Sequence, residues 1–316
     1  MKACRINDTE IVQILIDYAN KNNIILELNE KNKNGDYPLL WASDKGNVKM
    51  VQLLIDYANN NNIILKLNEK SNNGNYPLLF ACNKNNIEIV QLLIDYANEN
   101  NIFLELNEKN YIDYYPLLLA CVNNNVEMVQ LLIDYANKNN IVLELNEKNK
   151  YGDYPLLWAS DKNNVEIVQI LIDYANKKNI ILELNEKSNN GNYPLLFACI
   201  KNNIEIVQLL IDYANKNNIV LELNEKNKNG EYPLLFSIEK YSNLKITQLL
   251  IEYAFEINII ENISINLDEL LYFKPEFKIE LYNQINTKRN NEFKRYLYNK
   301  DVKNIKSIFK KKKKIK

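Results

Sequence analysis

The sequence predicts an all-α solenoid of helix-turn-helix repeats with tight-turn fingers between them. Three observations carry this. Pro recurs at 38, 77, 116, 155, 194 and 233, each step being 39 residues. Within one period, apolar residues fall at helical spacing on a second helix that follows a short first one. Asn-Gly pairs at Asn34-Gly35, Asn73-Gly74, Asn190-Gly191 and Asn229-Gly230 precede the Pro at a constant distance. A fixed period of this size marks a solenoid or a propeller. A propeller blade needs four strands per unit, and no such spacing occurs here.

The elements follow in order along the unit Lys70–Glu108. Asn-Gly tolerates positive φ at both positions and closes a tight turn. Tyr-Pro-Leu-Leu then opens a helix, because Pro suits the first helical turn, where its missing N–H costs nothing. That helix runs to about Asn85-Asn86. Ile87, Val90, Leu93, Ile94 and Ala97 form the apolar stripe of a second helix, which Asn98–Asn101 stop. Ile102–Leu106 is short and β-prone, and serves as an extended return.

The array spans 1–260. A partial repeat occupies 1–30, because Ala3-Cys4 lies two periods before Ala81-Cys82, so the chain is expected to start inside a first helix. Full repeats cover 31–69, 70–108, 109–147, 148–186 and 187–225, and a degenerate one begins at 226. A C-terminal helical cap and a basic tail are expected over 261–316.

The unit resembles the ankyrin repeat. The likeness runs from the turn Gly through Pro-Leu, a small residue four positions after Pro, and the Val-x-Leu-Leu segment of the second helix. It implies an ankyrin-type α-solenoid whose fingers and first helices line a concave, protein-binding face. Three departures stand out. Tyr-Pro-Leu-Leu replaces the usual Thr-Pro-Leu-His, which removes the hydroxyl cap; Asp36, Asn75, Asp153 and Asn192 stand one residue earlier as candidate substitutes. Ala58, Ala97, Ala136, Ala175 and Ala214 replace the Gly that ends the second helix, so that helix should continue into the Asn cluster. The unit also exceeds the family's usual length of about 33 residues, and the surplus follows that Ala.

The copies can be compared with one another. Units 70–108 and 187–225 differ only at Asn83/Ile200, Glu99/Lys216 and Phe103/Val220. Units 31–69 and 148–186 share Trp-Ala-Ser-Asp-Lys. A three-repeat block has been duplicated. The third full unit departs from the rest, with Tyr111-Ile112-Asp113-Tyr114 where its neighbour has Asn-Asn-Gly-Asn, and with Val122 where the first, second and fourth full units carry Asp or Asn.

Composition narrows the function. The chain is 47% hydrophobic and 25% charged, enough apolar material for a core. Asn is heavily used, mostly at fixed repeat positions, a bias that codon composition explains without function. Residues 1–280 carry 26 Lys and Arg against 38 Asp and Glu, net −12; residues 281–316 carry 13 against 2, net +11. Met1–Glu10 lacks the apolar stretch of a signal peptide, and no apolar run reaches the roughly 18–20 residues of a membrane helix. A soluble, cytoplasmic protein is expected, and the lysine-rich C-terminus admits entry to the nucleus.

Chemistry-bearing residues are sparse. There is no His in the chain, no Ser-centred constellation and no phosphate-binding glycine loop, so no catalysis, cofactor, metal or small-molecule substrate is expected. Cys4, Cys82, Cys121 and Cys199 share one register. Helices of adjacent units pack ~8–10 Å apart, beyond the ~7 Å reach of a disulfide, so they read as small buried hydrophobes in a reducing compartment. Trp41, Phe80, Leu119, Trp158, Phe197 and Phe236 form a column, read as inter-repeat core rather than a ligand platform. The Tyr37 and Tyr57 columns read as structural, with hydroxyls near solvent. Asp56 and its equivalents read as a solvated face.

The expected function is a non-catalytic protein-protein interaction scaffold with an unidentified protein partner. The candidate contact residues are Asp36, Asp44, Lys45, Asn75, Lys84, Tyr111, Ile112, Tyr114, Val122, Asp153, Asp161 and Lys162, with the tyrosines as aromatic anchors in a polar field. The alternative is association with nucleic acid or an anionic membrane through the basic tail 281–316. There Lys310, Lys311, Lys312, Lys313 and Lys314 follow interleaved basic and apolar residues. The same tail also reads as a solvated cap.

Overall fold

The computed structural model describes residues 1–237 and 244–257. It divides into two units, Met1–Glu222 with Lys226–Gly230, and Leu223–Glu225 with Glu231–Lys316. The stretch 261–316, with the lysines 310–314, lies outside the described residues.

The first unit is a succession of helix pairs: α1 (Lys2–Arg5) and α2 (Thr9–Lys21), α3 (Pro38–Asp44) and α4 (Val48–Asn60), α5 (Pro77–Asn83) and α6 (Ile87–Glu99), α7 (Pro116–Val122) and α8 (Val126–Lys138), α9 (Pro155–Asp161) and α10 (Val165–Lys178), α11 (Pro194–Ile200) and α12 (Ile204–Asn217). Each first helix packs on its own second helix, and α1, α3, α5, α7 and α9 each pack on the first helix of the next repeat. The described residues contain no strand. In the second unit, α13 (Pro233–Leu235) and α14 (Leu244–Glu256) are described. Leu250, Ile251, Tyr253 and Ala254 are buried there, and the Ser237 hydroxyl donates to the Leu234 carbonyl at 2.9 Å.

The first helix starts at Pro, as its sequence predicts, but no side chain caps it. The expected substitutes bond elsewhere. Asp36 accepts from the Asn32 amide at 3.1 Å, Asn75 from the Asn110 amide at 3.0 Å. Pro at the first position has no N–H to satisfy, which removes one of the orphan donors a cap would serve. The second helix is capped by an Asn that sequence reading passed over. Asn47, Asn86, Asn125, Asn164 and Asn203 each accept from the backbone N–H three residues on, at 2.9–3.0 Å.

The second helix continues past Ala58, Ala97 and Ala136 into the Asn cluster and closes at Asn61, Asn100 and Asn139. Asn62, Asn101, Asn140, Asn179 and Asn218 then turn the chain at φ 53–57°, the left-handed region that Asn tolerates better than other non-glycine residues. In the core, Leu93 and Val90 are fully buried as predicted. Ile89 replaces Ile87, which sits half-buried on the first helical turn.

Two columns correct the sequence reading. The tyrosine hydroxyls do not reach toward solvent; they bind backbone. Tyr37 donates to the Glu69 carbonyl at 2.8 Å and Tyr115 to that of Glu147 at 2.9 Å. Tyr96 accepts from Leu65 N–H at 3.0 Å and donates to the Ile63 carbonyl at 3.1 Å. Extended segments inside a helical stack leave backbone groups without partners, and the Tyr hydroxyl, both donor and acceptor, supplies them. The ring column is not core throughout. Leu119 and Phe236 are buried, but Trp41, Phe80, Trp158 and Phe197 are half-buried.

Candidate functional site

In the first, third and fourth full units one Asn builds the finger; Ser71 and Ser188 hold that register in the second and fifth. Asn32 accepts from Asn34 N–H at 2.8 Å and Asp36 N–H at 3.0 Å, leaving Gly35 at φ 78°. In the third full unit, Asn110 accepts from Ile112 N–H at 3.1 Å and Tyr114 N–H at 3.0 Å, and Asp113 takes the glycine's place at φ 63°. The unit that lacks Gly therefore makes the same turn, with a residue that tolerates the left-handed region.

Consecutive fingers are linked through their backbones. Asn72 N–H donates to the Asn34 carbonyl (2.9 Å), Tyr111 to Asn73 (3.0 Å), Lys150 to Ile112 (3.2 Å), Asn189 to Tyr151 (2.8 Å) and Lys228 to Asn190 (3.0 Å). Backbone pairing fixes the row and leaves the side chains free to differ.

Those side chains form an aromatic stretch over the third and fourth full units. Tyr111 is 57% exposed and Tyr151 53%. The Tyr114 and Tyr151 rings lie 6.5 Å apart, tilted by 53°. The Lys150 ammonium stands 5.8 Å over the Tyr111 ring. Sequence reading missed Tyr151 and Lys150; the copy comparison that exposed Tyr111 shows Tyr151 as a departure from Asn34, whereas Lys150 matches Lys33 and only its place over the Tyr111 ring marks it. Ile112 is half-buried beside them, and Val122 sits half-buried at the last turn of α7.

Further along, a notch of about 310 Å³ lies between the fourth and fifth full units, lined by Tyr151, Asp153, Trp158, Asp161, Asn192 and Phe197 among others. Burial pushes the Asp153 carboxyl above its ordinary range, and the Asp161 charge adds to this; Asn149 and Trp158 pull the other way. The Trp158 indole N–H is close enough to favour the charged carboxylate, yet forms no hydrogen bond of normal geometry. The Lys162 ammonium covers the Trp158 ring at 5.1 Å, as Lys45 covers Trp41 at 5.3 Å.

The remaining predicted residues are brought together in inter-repeat pairs. Asp44 meets Lys84 at 3.8 Å, and Asp161 meets Lys201 at 3.3 Å. Such exposed pairs add little stability, typically under about 1 kcal/mol, and they leave both charges addressable from outside. Nucleophiles are not: all four thiols are buried, and burial pushes those of Cys82, Cys121 and Cys199 upward. No group of His, Cys, Asp and Glu among the described residues could hold a metal ion, and no described helix is long and apolar enough to cross a membrane.

Comparison with protein-family models matches "Ankyrin repeats (3 copies)" over residues 1–104, 58–141, 101–182 and 178–261. No curated protein matches the chain. Among solved structures, the human ASB11 ankyrin repeat domain aligns at TM-score 0.53 and 18% identity, covering 80% of this chain and 96% of that one. The ankyrin repeat domain of Bcl-3, an IkappaB family member, aligns at 0.52 and 20%, covering 79% and 96%. An ankyrin repeat domain from Acinetobacter baumannii aligns at 0.52 and 22%, covering 69% and 98%. These likenesses show the fold.

Proposed function

The chain belongs to the ankyrin-repeat family, whose repeats are in general protein-protein interaction modules, and from that premise we propose that it is a non-catalytic scaffold that grips a protein partner through its fingers and first helices. The observation that carries this reading is the break in uniformity at the third and fourth full units, where Tyr111, Tyr114 and Tyr151, with Ile112, stand at finger positions that the other units fill with Asn, Lys, Asp or Glu. Large, rigid rings held by a backbone-paired turn lose little entropy on binding and commonly anchor interfaces. Asp36, Asp44, Lys45, Asn75, Lys84, Ile112, Val122, Asp153, Asp161 and Lys162 would supply the polar and apolar surround.

The test is a finger graft. Tyr111-Ile112-Asp113-Tyr114 is replaced by the Asn-Asn-Gly-Asn of the preceding unit, a turn that already folds one period away. A partner captured with the native chain should bind the graft at least tenfold more weakly by calorimetry, about 1.4 kcal/mol, while the helical circular dichroism is unchanged. A folded graft that binds as before would sink the assignment.

A further inference from the structure

At the other end of each repeat lies a surface that the fingers do not explain. Each return segment alternates exposed and buried side chains. The buried ones, Leu104 and Leu106 and their equivalents, enter the core. The exposed ones are, repeat after repeat, one large apolar residue and one charged residue two positions later. Ile25, Ile64, Phe103, Val142, Ile181 and Val220 are exposed by 52–66%. The partners two positions on are Glu27, Lys66, Glu105, Glu144, Glu183 and Glu222. None of these five glutamates has an ion-pair partner among the described residues, whereas Glu69, Glu108, Glu147 and Glu186 are each paired with a Lys one repeat back.

The rows are held stiffly. Asn68 donates its amide to the Phe103 carbonyl at 2.7 Å and accepts from Glu105 N–H at 3.2 Å. Asn107 does the same for Val142 and Glu144, at 2.7 and 3.1 Å, and Asn146 for Ile181 and Glu183, also at 2.7 and 3.1 Å. An Asn amide thus stands where a neighbouring strand's peptide would stand. From the other flank the Tyr135 hydroxyl takes Leu104 N–H at 3.0 Å. With these backbone groups already bonded, an incoming strand has little to pair with, and strand addition is disfavoured. What the segments offer is side chains: an apolar row and, about 7 Å beside it, an acidic row.

The internal comparison bears on why the row is apolar. Between the near-identical units 70–108 and 187–225 there are three differences. Asn83/Ile200 and Glu99/Lys216 change chemical class. Phe103/Val220 does not, although the position is exposed and folding does not require an apolar residue there. In all six copies the identity drifts among Ile, Phe and Val while the class holds.

We propose that the return segments form a second docking surface, for an amphipathic cationic helix of a partner protein. Charge decides the occupant: four successive unpaired glutamates, Glu105, Glu144, Glu183 and Glu222, flank the apolar row, so a second copy of the chain would bring like charges together, and an anionic membrane would be repelled. Spacing agrees with a helix. Two turns, about seven residues, advance about 10.5 Å, close to the roughly 10 Å between packed helices of neighbouring repeats. An apolar residue in each heptad would meet each repeat, with Lys or Arg on its flank reaching the glutamates.

The experiment uses the full chain and a fluorescent synthetic helix of about three heptads, Leu on one face and Lys on its flanks, read by anisotropy. Phe103→Ser/Val142→Ser/Ile181→Ser and Glu105→Gln/Glu144→Gln/Glu183→Gln should each weaken binding at least tenfold. Asp95→Asn/Asp134→Asn/Asp173→Asn, an equal charge change on the outer helix faces, should change it less than twofold, and a helix with Glu in place of Lys should not bind. Each altered residue is exposed, and circular dichroism verifies folding; the glutamine triple alone is decisive should the serine triple unfold. If the aspartate control weakens binding as much as the glutamine triple, the attraction is general acidity and the proposal fails. It also fails if the serine triple binds as the native chain does, or if sedimentation shows that the native chain pairs with itself through this row.

Discussion

The two edges of the repeat are built from the same material and have diverged in opposite ways. At the finger edge, Asn32 and Asn110 fold the turn and backbone bonds tie one finger to the next. There the side chains change class between copies: Asn73, Ile112, Tyr151 and Asn190 occupy one register. At the return edge, Asn68, Asn107 and Asn146 tie the segments, yet the exposed apolar side chains keep one class throughout. Both edges are rigid, so rigidity does not explain the difference. A surface that varies by repeat suits a partner read locally. A uniform surface suits a partner that runs along the array.

The first expected effect is the largest and removes both edges together. Leu93 is fully buried on α6, beneath the finger and return segment alike. Leu93→Ala should cost about 2–5 kcal/mol, with amide exchange accelerating at both edges of the middle repeats. Loss of protection at one edge only would mean that the edges do not share a core. Next comes the contact between fingers. Gly74 has φ 77°, and a Cβ there would fall 2.8 Å from the Asn110 Cα, whereas Gly230, at φ 79°, has nothing within 4 Å. Gly230→Ala should cost about 1–2 kcal/mol from the left-handed backbone alone. Gly74→Ala should cost clearly more in a urea melt. Equal costs would show that neighbouring fingers part freely.

A smaller effect separates the edges. Asn107→Ala removes the two bonds that hold Val142 and Glu144, and Asn110→Ala removes those that shape the Tyr111 finger. With water as a replacement partner at these partly exposed sites, each should cost about 1–2 kcal/mol. By amide exchange, the first should loosen Glu144 and spare Tyr114, and the second the reverse. Cross-effects of equal size would make the two edges one mechanical element.

Much of the fold was legible because the period repeats six times: Pro fixes where each first helix starts, and Ala in place of the usual Gly forecasts the longer second helix. The roles of Asn were not legible. An amide that can accept, donate and tolerate positive φ serves as cap at Asn86, as left-handed residue at Asn101, as turn organiser at Asn110 and as bridge at Asn107. Only the three-dimensional neighbours distinguish these uses, so the bias toward Asn reads as mere composition in the sequence. The tyrosine hydroxyls misled for a related reason: a polar tip on a buried ring suggests solvent unless one knows that Ile63 and Leu65, a repeat away from Tyr96, need partners. Of the finger residues, the departures at Tyr111 and Tyr114 were visible, whereas their approach to Tyr151 and Lys150 depends on the geometry of the stack.

The smallest expected effect tests whether the finger edge keeps a group at odds with folding. Burial raises the Asp153 carboxyl above its ordinary value of 3.8. A raised carboxyl binds its proton more tightly in the folded state than in the unfolded one, so the ionised form opposes folding. Below the ordinary value the group is protonated in both states and the penalty is absent. It grows as pH rises from there through the raised folded value, and is complete above it. The corresponding position is Asn75 in the second full unit and Asn192 in the fifth, so Asp153→Asn keeps the turn. Thermal melts should show the variant more stable than the native chain at pH 7, with the gap closing as pH falls below the ordinary carboxylate range. A gap independent of pH would assign the effect to packing. A destabilised variant would mean that the ionised carboxylate helps hold Trp158 and the notch in place, and that the finger edge gains from the charge rather than bearing it.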